Sequence, residues 1–486
     1  MRPCYCPACR ARFEREKHLP PPHKNSDPGW DAYQEMQRQV FREFIDQTLA
    51  EVHKLDPQCL VGINNAYHLM MPEKPPPGVG YLTSDIGNQV EALSPLAHWL
   101  DSQGVPFDLM TKLGVADPRS IQDGVPASVM PKPAGQIQQE MAVILANGGR
   151  YSLWDIPTPE GRLRPEWIAA IARDVTPFLR ARQPWCLGTR LPDVAVLHSA
   201  AAHYAATNRS EKTLVSQDIH VGGVMSALAP RHLNYELIPD WRLAAQDIRS
   251  PLLLVEDPEL VTDELAARVL RFLEDGGRVL WSGQGLSARL QAAFGVKIAA
   301  STAEPEKLQL VAAQPAMQFD RRLFRLECHG AQVRLPVQTA DGKRLPLLTS
   351  RDVGRGQAFY AAIPLMSRYA KQTVPAELVD QVLHLVLPAA GRRLLTDAPP
   401  SVECVVREKN GQQVVHLVNR AEGRRKTVAY HSVVLYPGVT KDGQRGIHPD
   451  RIITDIPPAP KCHLSLQLER RPASVTLQPQ NHALSD

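Results

Sequence analysis

The sequence predicts an α/β protein built in three successive parts, and three patterns predict it. Short apolar runs alternate with helix-period segments over the first 185 residues. A second strand–helix alternation, with a Gly-Gly turn at its centre, fills residues 190 to 390 or so. From about residue 400 the apolar period changes to two, with an Asn-Gly pair between alternating runs. At 486 residues the chain exceeds one ordinary domain. The pattern divides it at 1–187, 190–392 and 398–486.

In the first part, WDAYQEMQRQVFREFIDQTLAEVHKL (30–55) sets Tyr33, Met36, Val40, Phe44 and Val52 at near-helical spacing, and Asp56-Pro57 stops the helix. CLVGINNAY (59–67) and GYLTSDIG (80–87) predict two strands. SPLAHWLDSQG (94–104) predicts a helix with Ser94 as N-cap, Pro95 at the first helical position and Gly104 at its end. VPFDLMTKLG (105–114) follows as a third strand, GQIQQEMAVILANGG (135–149) as a helix closed by a Gly pair, and RYSLWDIP (150–157) as a fourth strand. RPEWIAAIARDVTPFLRAR (164–182) is the next helix. Strands this short and apolar suit a parallel sheet buried beneath helices.

In the second part, DVAVLHS (193–199), YELIPD (235–240) and PLLLVEDPE (251–259) read as strands of a doubly wound pattern. TDELAARVLRFLEDGGRVLWSG (262–283) is a helix, a turn and a strand, and LSARLQAAFG (286–295) is the next helix. GRGQAFYAAIP (354–364) is a late strand and VPAELVDQVLHLVL (374–387) a closing helix. In the tail, VECVVREKNGQQVVHLVNR (402–420) predicts a hairpin, because Asn-Gly accepts the positive φ that a two-residue turn needs. CHLSLQLE (462–469) and SVTLQP (474–479) add strands to a small sandwich-like β domain.

Composition narrows the function. The 55 basic and 51 acidic residues nearly balance, and no basic stripe of the kind that grips nucleic acid is present. No apolar run reaches the 18 or so residues of a membrane span, and the N-terminus has no apolar signal region, which favours a cytoplasmic protein. After Cys4, Cys6 and Cys9 the remaining cysteines are scattered, so the expectation is reduced thiols and one metal site rather than a disulfide scaffold.

Each predicted strand of the first part ends in residues able to do chemistry: Asn64, Asn65 and Tyr67, then Asp85, then Asp108, then Trp154 and Asp155. In (β/α)8 barrels the C-terminal strand ends carry the active site. The alternative for each Asp or Asn is that it caps the following loop. His68 and Lys112 share the same rim, Tyr151 reads as core packing, and Glu91 and Glu140 as solvated charges on helix faces. In the second part, LWSGQGLS offers Ser282 but neither a cysteine nor a G-x-S-x-G elbow. EDGGRV precedes a strand, whereas a dinucleotide loop follows one. That part therefore reads as structural or oligomer-forming. Cys4, Cys6 and Cys9 supply three of the four ligands of a closed zinc site. Cys59 and His18 are the internal substitutes for the fourth, although Cys59, at a strand start, reads as a buried small apolar residue.

The stretch CYCPACRARF resembles the zinc-site motif of glycoside hydrolase family 42 β-galactosidases. VPFDLMTKLG together with KPAGQIQQEMAVILANGGRYSLWDIPTPEGRLRPE is similar to hypothetical glycosyl hydrolases related at a distance to α-L-fucosidases. The resemblance runs from Cys4 through the whole chain. It implies the C-terminal half of a (β/α)8 TIM-type barrel, with segments 59–64, 80–85, 105–109 and 150–155 as strands five to eight. It also implies a Rossmann-like, glutamine amidotransferase-like β-galactosidase trimerisation domain and then a small all-β domain. The implied activity is hydrolysis of O-glycosidic bonds, galactosidase- or fucosidase-like, on a glycoside or oligosaccharide. That chemistry takes two carboxyl groups, about 5–5.5 Å apart for retention and about 6.5–9.5 Å for inversion. The family's acid lies at the end of strand four, outside this sequence. Its nucleophile is a Glu at the end of strand seven, where this chain has Asp108. The catalytic candidates are Asp108, Asp85 and Asp155, and the substrate-binding candidates are Asn64, Asn65, Tyr67, His68, Lys112 and Trp154. The resemblance implies no cofactor for catalysis, a structural zinc on Cys4, Cys6 and Cys9 whose fourth ligand lies upstream, and a homotrimer. The competing expectation is a non-catalytic assembly subunit of such a hydrolase, in which the α/β domain makes the contacts.

Overall fold

Strands whose side chains alternate between apolar and polar must cover one face, and the first sheet of the computed structural model does this with helices. The structure describes residues 3–85, 90–116, 121–122, 125–126, 129–155, 157–158, 160–208, 219–244, 248–301, 306–310, 318–321, 323–421, 425–428, 450–453, 456–468, 472–480 and 482–483. Two helices open it, α1 (Pro7–Lys17) and α2 (Trp30–Leu55). Four strands then pair in parallel in the order β1 (Val61–Asn64), β2 (Val79–Asp85), β3 (Phe107–Lys112) and β4 (Arg150–Trp154). Helix α3 (Val90–Asp101) links β2 to β3, and α4 (Ala134–Ala146) precedes β4. Leu82 of β2 and Phe107 and Leu109 of β3 face these helices and share one core with Leu93, Ala97 and Leu100 of α3 and Val143 and Ile144 of α4. This buried row holds the sheet to its helices; the other row is left uncovered.

Two expectations change here. Helix α3 begins before Ser94, so Pro95 lies inside it, and the Ser94 hydroxyl donates to Glu403 (2.8 Å) instead of capping. Glu140 is not a solvated charge. It is 1 % exposed and paired with Lys132 at 2.9 Å, because both flanks of α4 are covered. The Glu91 side chain lies outside the described residues.

The second sheet has nine strands. Five are parallel: β5 (Val194–His198), β6 (Tyr235–Pro239), β7 (Leu252–Glu256), β8 (Arg278–Ser282) and β10 (Gly356–Ala361). Their spatial order is β6-β5-β7-β8-β10, the doubly wound arrangement. β9 (Arg344–Val353) runs antiparallel to β10 and leads into three further antiparallel strands. The helix Asp263–Glu274 is capped by Thr262, whose hydroxyl accepts from Leu265 N–H at 3.1 Å. In the tail, Val402–Lys409 and Gln412–Asn419 form the predicted hairpin, with Asn410 (φ 53°) and Gly411 (φ 75°) in the turn. Among the described residues no helix is long and apolar enough to cross a membrane.

Helices α3 and α4 meet the C-terminal hairpin, with which the strand Thr189–Arg190 pairs, on a buried ionic network. Asp101, at the end of α3, accepts from Arg190 (2.9 Å) and from both terminal nitrogens of Arg407 (2.8 and 3.0 Å). Arg190 also donates to Asn147 (2.7 Å), just past α4, and the two arginine side chains are 4 % and 3 % exposed. Beside them, Glu403 accepts from Ser94 and from Asn147 (2.9 Å), with His98 at 3.5 Å and Arg420 at 3.4 Å. Burial alone would raise the Glu403 carboxyl, but its hydrogen bonds and the nearby Arg420 outweigh that and hold it at about 2. Burial likewise opposes ionisation of Asp101, yet Arg407 and Arg190 leave it below its ordinary value.

Removing one partner leaves the others as buried, uncompensated charge. Asp101→Asn is therefore expected to cost about 3–5 kcal/mol of stability, read as a fall in urea midpoint. The folded values of Asp101 and Glu403 lie below their ordinary 3.8 and 4.5, so their stabilisation is present above those values. It should be lost as pH falls from about 4.5 towards 2, and an acid titration of stability should flatten in that window in Glu403→Gln.

Candidate functional site

Parallel register decides which side chains share the uncovered face. Asn64 is level with Thr83, Thr83 with Asp108, and Asp108 with Arg150. One step further along, Asp85 is level with Met110 and Met110 with Ser152; beyond them Lys112 is level with Trp154. With a rise of about 3.3 Å per residue, each step is about 6.6 Å. Side-chain contacts confirm the common face: the Thr83 hydroxyl donates to Asp108, Ser152 reaches the same oxygen at 3.5 Å, and Lys112 Nζ lies 5.3 Å from the Trp154 ring centroid. Gly62 belongs to this face because a Cβ there would come within 2.2 Å of the Tyr81 ring.

The rim at the C-terminal strand ends is therefore not the set expected. β3 begins at Phe107 and continues to Lys112, since Leu109 and Thr111 keep the buried alternation going. Asp108 is its second residue and lies deep, two steps below the rim, half-buried under the Thr83 and Ser152 hydroxyls. Lys112 takes the rim position of β3. Asp155 follows β4 but is drawn into an ion pair with Arg164 (3.2 Å), its side chain 6 % exposed. Tyr67 is 1 % exposed, its carbonyl bonded by Trp99 Nε1 (2.8 Å), and burial pushes its hydroxyl up to about 12. It is core, not a sugar platform.

Asp85 is the exposed carboxylate at the end of its strand, and Asn65 holds it. Asn65 has φ 54°, a left-handed conformation that Asn tolerates. Its Nδ2 donates to Asp85 Oδ2 (3.1 Å), and its Oδ1 accepts from Ser84 Oγ (3.0 Å) and Asp85 N–H (3.1 Å). Asn65 is thus spent on orientation, leaving Asn64, exposed and level with Asp108, as the amide facing the cleft. His68 is half-buried, accepts Met70 N–H on Nδ1 (3.0 Å), and burial lowers its basicity. Trp154 is 40 % exposed. The residues sequence reasoning passed over, Thr83, Ser152 and Arg150, were signalled by the period of two within TSD and RYSLW.

The thiol cluster stands apart from this face. The sulfurs of Cys4, Cys6 and Cys9 all lie within 4.8 Å of one another, at the start of α1, where Cys6 is the N-cap. Helix α2 holds the loop in place: Tyr33 Oη donates to Cys4 O (2.6 Å), and Gln37 accepts Cys4 N–H (3.1 Å). Backbone N–H of Cys9 and the neighbouring thiols lower the Cys6 thiol, while burial raises Cys9 to about 11. Tetrahedral zinc with Zn–S bonds of about 2.3 Å needs sulfurs this close, so the three thiols fit three corners. Among the described residues no fourth Cys, His, Asp or Glu joins them. Cys59 is exposed rather than buried, and His18 is the C-cap of α1, at the far end of that helix. In the α/β sheet Ser282 is 1 % exposed and donates to buried Glu256, so it presents no nucleophile.

No protein-family model matches the sequence, and no curated protein matches it. Solved structures do match the fold. The chain is similar to α-L-fucosidase isoenzyme 2 from Paenibacillus thiaminolyticus, at 18 % identity and TM-score 0.74, over 100 % of this chain and 72 % of that one. It is similar to the β-galactosidase from Bacillus circulans sp. alkalophilus, at 14 % identity and TM-score 0.67, over 87 % of this chain and 74 % of that one. The cold-adapted β-galactosidase from Rahnella sp. R3 matches at 15 % identity and TM-score 0.63, over 88 % and 72 %.

The clamp makes a prediction. Asn65→Ala removes three hydrogen bonds and places Ala in a left-handed conformation, so a loss of about 1–3 kcal/mol is expected by urea unfolding.

Proposed function

We propose that the chain is a glycoside hydrolase of the galactosidase or fucosidase kind, with the uncovered face of the β1–β4 sheet as its sugar site. The observation that carries this is Asp85, an exposed carboxylate at a parallel strand end, oriented by Asn65 and flanked on the next strands by Lys112 and Trp154. The fold likeness to β-galactosidases and an α-L-fucosidase supports it. The four strands would be one half of a (β/α)8 barrel.

In this reading Asp85 acts at the anomeric carbon, as nucleophile or as the base that activates water. Its Cα lies diagonally from that of Asp108, roughly 8 Å away by strand spacing and rise. Asp108, beneath two hydroxyls, would stabilise the positive charge that develops on the sugar ring. Asn64 would bond sugar hydroxyls, and Trp154 would stack on the apolar face of a ring. Among the described residues this face carries no third carboxyl group, so the proton donor to the leaving oxygen would come from outside these four strands. Cys4, Cys6 and Cys9 would hold a structural zinc remote from the chemistry, and the nine-stranded sheet domain would join subunits into a trimer.

Dinitrophenyl glycosides, whose leaving group needs no proton, isolate the step assigned to Asp85. Hydrolysis of a galactoside, fucoside or arabinoside in this series is expected, with kcat/KM reduced about 10³-fold in Asp85→Asn at unchanged circular dichroism. No turnover across the series, or full activity in Asp85→Asn, would overturn the assignment. For the thiols, cobalt(II) titration should give one tight equivalent with thiolate charge-transfer absorption, abolished by Cys6→Ser.

A further inference from the structure

Lys112 forms no ion pair among the described residues, and its ammonium contacts the Trp154 ring. Of the nearby cations, Arg164 pairs with Asp155 and Lys132 with Glu140, while exposed Arg150, two steps deeper on β4, forms no ion pair among the described residues. Lys112 is half-buried, on the uncovered face of the sheet. Trp154 beside it is 40 % exposed. Lys112 sits one strand and one step from Asp85, roughly 8 Å between Cα atoms by strand spacing and rise, with Trp154 one strand beyond it. That is about the span of one pyranose ring with its C5 substituent.

We infer that this site selects sugars that carry an anionic group, a carboxylate or sulfate at the C6 position, with Lys112 pairing the anion while the ring lies against Trp154. The inference rests on the sugar-site reading above and names the substrate class. Three features argue for an anion. Among the described residues Lys112 pairs with neither Asp85 nor Asp108. A lysine ammonium is a compact point charge that suits a single oxyanion in any orientation. An aromatic face beside it is partly shielded from water, which strengthens a charge-assisted hydrogen bond relative to one in bulk solvent. Asp85 disfavours an anion at the anomeric end, so the charged substituent is steered to the Lys112 end, which fixes the orientation of the ring.

Binding is tested apart from hydrolysis. Ligand-observed saturation-transfer NMR on the full chain would compare galacturonate, glucuronate and galactose 6-sulfate with galactose and glucose. The acidic sugars are expected to bind about five- to ten-fold more tightly than their neutral counterparts, a preference that falls with added salt. Lys112→Met should remove the preference, read as the ratio of acidic to neutral sugar affinity within the variant. Preference for uronates alone, or for the sulfate alone, would support the inference and identify the anion. Equal affinity for neutral and acidic sugars, a preference that survives Lys112→Met, or no binding by any of the sugars would overturn it. Selective binding of acidic sugars without turnover of any dinitrophenyl glycoside, acidic ones included, would overturn the hydrolase assignment and leave this inference standing.

Discussion

The Asp101–Arg190–Arg407 cluster is the constraint on which the rest of the molecule depends. Each ion costs several kcal/mol to remove from water, and only close pairing repays it. One aspartate from α3 answers two arginines far apart in the chain and paired across one ladder, while Asn147, Asn234 and the Gly188 carbonyl take up the remaining donors. Such a cluster has few satisfying arrangements. It sets the ends of α3 and α4 against the second sheet and the C-terminal hairpin. Because α3 and α4 back the strands β2 to β4, the same cluster fixes the platform under the cleft.

From that platform the site follows by alternation. Residues of one parity pack on helices, and residues of the other parity line up as Asn64, Thr83, Asp108 and Arg150, then Asp85, Met110 and Ser152, then Lys112 and Trp154. Position along the strand then sorts the two carboxylates. Asp85, at a strand end, is exposed and held by a neighbouring amide. Asp108, near a strand start, is half-buried beneath hydroxyls. The two differ by environment, as two carboxyl groups with distinct roles should.

Much of the architecture was legible because it rests on local signals. The four short apolar runs, the Thr262 cap and the Asn410-Gly411 turn each carry their cause within a few residues. What was not legible depends on partners far away in sequence. Ser94 looks like a cap until Glu403, 309 residues on, accepts its hydrogen bond. Glu140 looks like a solvated charge until Lys132 and the covered flanks of α4 enclose it. Asp108 was misplaced on the rim because a strand start and a strand end look alike in a run such as VPFDLMTKLG; only register with Thr83 and Arg150 tells them apart. Asp155 and Tyr67 sit at strand ends as expected, but an arginine captured the first and the core took the second.

The central claim is that sugar meets this chain at Asp85. Carbodiimide labelling of carboxyl groups, read by mass spectrometry with and without bound sugar, tests it most directly. The account predicts that Asp85 is modified readily in the free protein and protected by sugar, while Asp155, paired with Arg164, is modified slowly in both. Protection that spares Asp85 and falls instead on carboxyl groups of the second sheet would contradict it.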